Sequence, residues 1–226
     1  MTAQGIAHPE SLDPNPGAAI YAPWSLRLYD ALVLGFSGRY VWRCGKDEVL
    51  ALYNQHASAR HLDVGVGTVY FLDNCLFPVP NPTIALLDLN SESLKFTASR
   101  IRRYHPTVYQ ASVLDPLSVD LSPFGSVAMS YLLHCLPGDM TSKARAFEQL
   151  QPLVAPGGVV FGATILGTGI TPNPLAAALQ RLYNWRGIMT NRNDSAEGLE
   201  AALKKSFPHV TVDVSGCVAL FVAKAD

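Results

Sequence analysis

This 226-residue chain has no closely spaced cysteines: Cys44, Cys75, Cys135 and Cys217 lie far apart and no C-x-x-C occurs. Scattered thiols of this kind are expected to be reduced, in or near the core of a cytoplasmic protein. The six histidines have no ligand spacing either, so no metal is expected. No apolar run reaches the ~18 residues of a membrane span. The N-terminus lacks the charged-then-apolar order of a signal peptide. Charge is sparse and balanced, with 17 Lys and Arg against 18 Asp and Glu. Without a long basic run, neither nucleic acid nor a membrane is expected as a partner. The densest basic cluster, Arg100, Arg102 and Arg103, reads as a solvated helix face.

What is present is apolar material, 49% of the chain, enough for the core of one α/β domain. Residues 1–20, with Pro9, Pro14, Pro16 and Gly17, read as a mobile arm. Residues 21–58 read as a helical cap: Leu26, Tyr29, Val33 and Phe36 recur at helical spacing, and Val49, Leu52 and Tyr53 mark a second helix. From residue 59 to 226, strands and helices alternate. Strands are expected at 60–64, 83–88, 107–111, 125–130 and 159–165. Helices are expected at 68–77, after a cap at Asn90 or Ser91, and along Met140, Ala144, Phe147 and Leu150. Pro156-Gly157-Gly158 reads as a turn. Further helical stripes run through Leu175, Leu179 and Leu182 and through Leu199 and Leu203, the second preceded by Asp194 and Glu197 at capping-box spacing. The chain closes on two strands joined at Ser215-Gly216, a hairpin that requires an antiparallel strand at the sheet edge.

In an open α/β sheet, ligands bind beyond the carboxyl ends of the strands. The first strand ends in Asp63-Val64-Gly65-Val66-Gly67, and the second ends in Asp88. Gly65 and Gly67 permit a tight turn and a close backbone approach. Asp63 can face a positive group, and Asp88 stands where a carboxylate accepts from both hydroxyls of a ribose. Strand, G-x-G, helix, strand and acid in that order predict a nucleoside site. A dinucleotide fingerprint would place a third glycine at Tyr70, so a pyrophosphate is poorly served.

These segments resemble class I S-adenosylmethionine-dependent methyltransferases. Asp63 to Thr68 is similar to their glycine-rich first motif, and Ile84 to Asn90, with Asp88, Leu89 and Asn90, to their ribose-binding second. Gln110 to Pro116, with Ser112 and Val113, resembles the loop that meets the adenine. Ser126 to Pro137, with Ser130 and Tyr131, resembles strand four and its loop, and Leu153 to Gly158 the turn before strand five. The resemblance implies a Rossmann-like doubly wound seven-stranded sheet with one antiparallel edge strand. It implies S-adenosylmethionine as cofactor and S-adenosylhomocysteine as product. The chain departs from the family at Val69, where a third glycine is usual, at Ser112, where an acid is frequent, and at Gly125.

The reaction implied is in-line methyl displacement, for which alignment supplies much of the rate. His134, just beyond strand four, is the candidate base because an ordinary histidine titrates near neutrality; a packing or hydrogen-bonding role is the alternative. The strand-four loop lacks the [DN]-P-P-[FY] arrangement of base-amine methylation, the paired glutamates of arginine methylation and the carboxylate set of catechol methylation. A small, largely apolar acceptor remains. Tyr21, Tyr29, Tyr40 and Trp42 upstream, with Tyr183, Trp185 and Met189 after strand five, are the candidates to line its pocket, and each also suits a core. Homodimerisation is left open. Two other readings stand beside this one: a non-methylating enzyme or binding protein that holds the same cofactor, and an NAD(P)-dependent oxidoreductase.

Overall fold

The computed structural model describes residues 37–117 and 122–226. The expected arm at 1–20, the first helical stripe of the cap, and Tyr21 and Tyr29 lie outside the described residues. The described chain opens in a π-helical turn at residues 37–42. The core elements then follow as α1 (Lys46–His56), β1 (Arg60–Val64), α2 (Tyr70–Asn74), β2 (Thr83–Asp88), α3 (Ser91–Arg100), β3 (Thr107–Gln110) and β4 (Phe124–Ser130). After β4 come α4 (Met140–Leu150), β5 (Val154–Ile165), α5 (Pro174–Trp185), α6 (Ala196–Lys204), β6 (His209–Ser215) and β7 (Val218–Lys224).

The seven strands form one sheet in the order β3-β2-β1-β4-β5-β7-β6. The β1–β2, β1–β4, β2–β3 and β4–β5 pairs are parallel. β7 runs antiparallel to both β5 and β6. The antiparallel edge is thus a hairpin in which β7 is reversed and β6 is outermost. The order turns back between β1 and β4, which opens the crevice of a doubly wound sheet at their carboxyl ends.

Strand alternation assigns the two faces. Leu62, Val64, Ala85, Leu87, Val127 and Met129 pack with α4 and α6 on one side. Ile84, Leu86, Ala128, Phe161 and Ala163 pack with α1, α2, α3 and α5 on the other. His61 and Asp63 alternate with Leu62 and Val64, so two buried polar side chains share the strand with its two buried apolar ones. Helix starts are fixed by side-chain caps. Asn90 accepts from the Glu92 and Ser93 N–H groups, Asp139 from Ser142, and Asn173 from Ala176.

Three local expectations change. The helix expected at 68–77 is shorter, because Val69 takes left-handed geometry before it and Cys75 is extended after it; Pro78, Pro80 and Pro82 follow, and proline cannot donate to a helix. Pro156-Gly157-Gly158 is a bulge inside β5 rather than a turn before it: pairing jumps from Phe124↔Val154 to Ser126↔Val159. The Asp194–Glu197 capping box is replaced by Ser195, which accepts from Gly198 N–H, because Asp194 is buried in an ion pair with Lys143.

The upstream segment docks at the carboxyl end of β5. Trp42 O accepts from Cys217 N–H at 2.8 Å, Asn173 Nδ2 donates to Tyr40 O and Val41 O, and Ser215 Oγ donates to Arg43 O at 3.4 Å. Gly216 has φ +58, and a Cβ there would collide with the Trp42 carbonyl oxygen. Among the described residues, no helix is long and apolar enough to cross a membrane, and no cluster of His, Cys, Asp and Glu could hold a metal ion.

Candidate functional site

The crevice between β1 and β4 is built from left-handed backbone. Gly65 has φ +71, and a Cβ on it would stand 2.8 Å from the Leu132 side chain, so the β1 loop packs directly on the β4 loop. Gly67 has φ +48, and among the described residues other than its chain neighbours nothing lies closer than 4.0 Å to the position its Cβ would take. Its backbone is therefore uncrowded by the described residues. Val69 and Tyr131 take the same conformation, with φ 59 and 60, although side chains rarely adopt it.

Asp88 closes the near side of that space. Its Oδ1 accepts from Asn90 N–H at 2.8 Å, and the Val66 and Leu89 N–H groups also bond its carboxylate. Burial nonetheless raises its pKa above the ordinary carboxylate value. Asn90 caps α3 with its side chain. Leu89 is partly exposed and its carbonyl accepts from Gln110 Nε2 at 3.2 Å. Beyond β3, Val113 is buried in the core, while Ser112 Oγ accepts from Leu114 N–H. Ser130, the last residue of β4, holds a buried hydroxyl beside the Tyr53 phenol, with no well-formed hydrogen bond among the described residues.

Asp63 faces the cap helix. Tyr53 of α1 donates to its Oδ2 at 3.0 Å, and His61 Nε2 lies 3.9 Å from the same oxygen. Ser126 Oγ accepts from Ser58 N–H and donates to Ser58 Oγ, so its 2.7 Å contact with His61 Nδ1 uses the Nδ1–H tautomer.

Tyr131 and His134 form the β4 side. Tyr131 N–H donates to Ala163 O at 2.7 Å. Its ring stacks on Phe71 and meets His134 edge-on. His134 is buried, its carbonyl accepts from Thr190 N–H, and its Nδ1 is 3.4 Å from Ile165 N and from Thr164 Oγ1. The expectation that His134 titrates near neutrality is corrected: burial, helped by the Lys143 charge, lowers its pKa to about 3. Burial raises Cys44 and Cys135 to about 11 and Cys75 to about 12, so none of the three is a thiolate nucleophile at neutral pH.

The aromatic candidates divide. Trp42 and Met189 are buried in one cluster, with Tyr183 packed against it. Tyr40 is 60% exposed, its carbonyl tied to Asn173. Trp185 is 75% exposed, on the side of α5 that also shows Leu175 and Leu182, and is not brought to the others.

Two arrangements carry no local sequence signal. Thr97 Oγ1 donates to Gly67 O at 3.3 Å, and Arg100 Nη1 donates to Thr68 O at 3.0 Å. Arg102 and Arg103 are exposed, as expected of a solvated face, while Arg100 and Arg103 also pair with Asp73 of α2 at 2.8 and 2.6 Å. Lys143 and Asp194 form a buried pair at 2.6 Å. Burial pushes the lysine down and the aspartate up, against their mutual attraction. Lys143 falls on the buried stripe of α4, and that periodicity is the one signal that could have marked it.

The residues fit a nucleoside carrying a charged tail. Asp88 offers acceptors for a diol, and the strip over Gly67 gives room for backbone contact among the described residues.

Comparison with known proteins agrees. Residues 62–160 match the family described as "Methyltransferase domain". The chain is 39% identical over 207 residues to demethylluteothin O-methyltransferase of Streptomyces thioluteus, covering 92% of this chain and 90% of that protein. It is 37% identical over 217 residues to the physcion biosynthesis cluster O-methyltransferase of Aspergillus chevalieri, covering 95% and 97%. Among solved structures, the N-methyltransferase NodS from Bradyrhizobium japonicum WM9 in complex with S-adenosyl-L-homocysteine shares the fold. The TM-score is 0.59 at 14% identity, over 89% of this chain and 97% of that one.

Proposed function

Because this chain belongs to the class I S-adenosylmethionine-dependent methyltransferases, we propose that it methylates a hydroxyl oxygen of a small, largely apolar molecule. Relatives named O-methyltransferases at 37–39% identity support oxygen as the acceptor atom. The observation that carries the cofactor assignment is the Asp88 carboxylate, bonded by the Val66 N–H one residue before the uncrowded Gly67 backbone. When bound, the cofactor supplies a methyl group on a positively charged sulfur.

Asp88 would hold the ribose hydroxyls, with Leu89 and Asn90 behind it. Gly65 and Gly67 would let the backbone meet the tail, with Asp63, Ser130 and Tyr131 nearby. Ser112 and Val113 would border the adenine. Tyr40, Trp42, Tyr183 and Met189, gathered around the start of α5 and the segment after it, would line the acceptor side; Trp185 is not part of this reading. His134 takes the role of a positioning group. Its Nδ1 faces the Ile165 N–H, so its ring proton sits on Nε2 and the ring accepts no proton near neutrality. The acceptor hydroxyl then loses its proton to water as the new C–O bond forms, which suits acidic hydroxyls such as phenols.

The test uses methyl-labelled cofactor with a panel of phenols, amines and thiols, together with calorimetry of S-adenosylhomocysteine. Label on free hydroxyls and none on their methyl ethers supports the proposal. Label on nitrogen or sulfur overturns the acceptor assignment. Binding without any transfer favours a cofactor-holding protein that does not methylate. Stabilisation by NADH alone would favour an oxidoreductase.

A further inference from the structure

Val69 is a β-branched residue in left-handed backbone, φ 59 and ψ 20, one residue before α2 begins. For such a side chain this geometry is strained and persists only where neighbours over-determine it. The neighbours that do so are in α3, outside the crevice. Thr97 Oγ1 holds Gly67 O and Arg100 Nη1 holds Thr68 O, the two carbonyls that precede Val69. On its other side, Arg100 Nε holds Asp73 Oδ2, and Asp73 N–H donates to Val69 O at 2.9 Å. Arg103 completes the grip, donating to Asp73 Oδ1 and to its carbonyl oxygen. Although burial pushes the Asp73 carboxyl up, the two guanidiniums hold its pKa below the usual value. The Val69 side chain is itself buried in the cluster beneath α1.

We propose that Arg100 and Thr97 are positioning residues for the cofactor loop, fixing the Gly67–Thr68–Val69 backbone in the shape that leaves the strip over Gly67 open. This rests on the cofactor assignment made above. Where glycine would hold left-handed geometry unaided, this chain uses valine and a clamp. Cofactor affinity then depends on α3 side chains that do not touch the cofactor.

The experiment is a double-mutant cycle on Arg100→Met and Val69→Gly. The readouts are the Kd of S-adenosylhomocysteine by calorimetry and the KM and kcat for methyl transfer. Arg100→Met in the parent chain is expected to weaken binding and raise the cofactor KM by about tenfold, with kcat at saturating cofactor retained. In the Val69→Gly chain the same change is expected to weaken binding less than about threefold. Arg100→Lys, which can still reach one carbonyl, should restore part of the affinity. Equal losses in both backgrounds, or no loss in the parent, overturn the clamp. Thr97→Val, which deletes one hydroxyl, provides the same comparison if Arg100→Met does not fold. Failure of the parent chain to bind S-adenosylhomocysteine would instead overturn the cofactor assignment, so the two outcomes are distinct.

Discussion

The phenol of Tyr53 donates a 3.0 Å hydrogen bond to Asp63 Oδ2, and both side chains are buried. The bond joins the cap helix to the end of the first strand, two residues before the G-x-G turn. Tyr53→Phe removes the donor and leaves a buried carboxylate oxygen without it. The expected loss is about 1–3 kcal/mol of stability, read as a lower urea midpoint with an unchanged slope. Asp63→Asn in the same chain should recover part of that loss, because a neutral amide is less costly to leave buried.

Asp88 predicts a pH dependence of binding. Burial raises its carboxyl pKa, so the folded chain keeps this proton to higher pH than the unfolded chain does. The group favours folding while protonated, and that contribution is lost as pH rises through the folded value. Ribose hydroxyls donate to the ionised form. Affinity for S-adenosylhomocysteine should therefore weaken as pH falls from neutral into the acid range. Asp88→Asn should weaken binding at neutral pH by roughly ten- to a hundredfold and abolish the acid limb. An intact acid limb in that variant would assign the titration to another group.

His134 predicts the opposite sign. Its pKa falls from 6.5 to about 3 on folding. It contributes stability that is present above 6.5 and is lost as pH falls toward about 3, because the unfolded chain binds the proton in that window. His134→Phe should flatten the acid side of the stability–pH curve. The rate profile of the parent enzyme should show no limb from this imidazole near neutrality; a limb that vanishes in the variant would restore the general-base role.

Lys143 and Asp194 predict strong non-additivity. Lys143→Met leaves the Asp194 carboxylate, whose Oδ1 has no hydrogen-bond partner among the described residues, without its cation. A loss of about 3–5 kcal/mol is expected, seen as a drop in Tm. Lys143→Met with Asp194→Leu should be distinctly more stable than Lys143→Met alone. Equal Tm values would mean that the pair contributes no coupling.

The parts of the site that sequence made legible are local. Asp63, Gly65, Gly67 and Asp88 are strand-end residues, and strand ends can be read from a few neighbouring side chains. The cap at Asn90 was legible for the same reason. What was not legible depends on distant partners. Asp194 has the spacing of a helix cap, yet its partner lies 51 residues away, on the buried face of α4. His134 stands where expected, but the burial that removes its basicity comes from the packing of β5 and Lys143 around it. Trp185 was grouped with pocket aromatics because it follows strand five, and that position does not say which side of α5 is covered; the side chain is 75% exposed. The pairing of Arg100 and Arg103 with Asp73 was not legible either, since that acceptor lies on another helix.

The contact between Gly216 and Trp42 bears on how the chain is made. The carbonyl of Trp42 receives its hydrogen bond from Cys217, near the C-terminal end of the chain. The β6–β7 hairpin must therefore form before the first described residues can seat against it. The nascent chain can pair β1, β2, β3 and β4 early, but the end of the sheet that carries the upstream aromatics waits for β7. Such long-range closure is slow by the general relation between topology and folding speed, and during the delay the apolar surface around Val41 and Trp42 is open to chaperones.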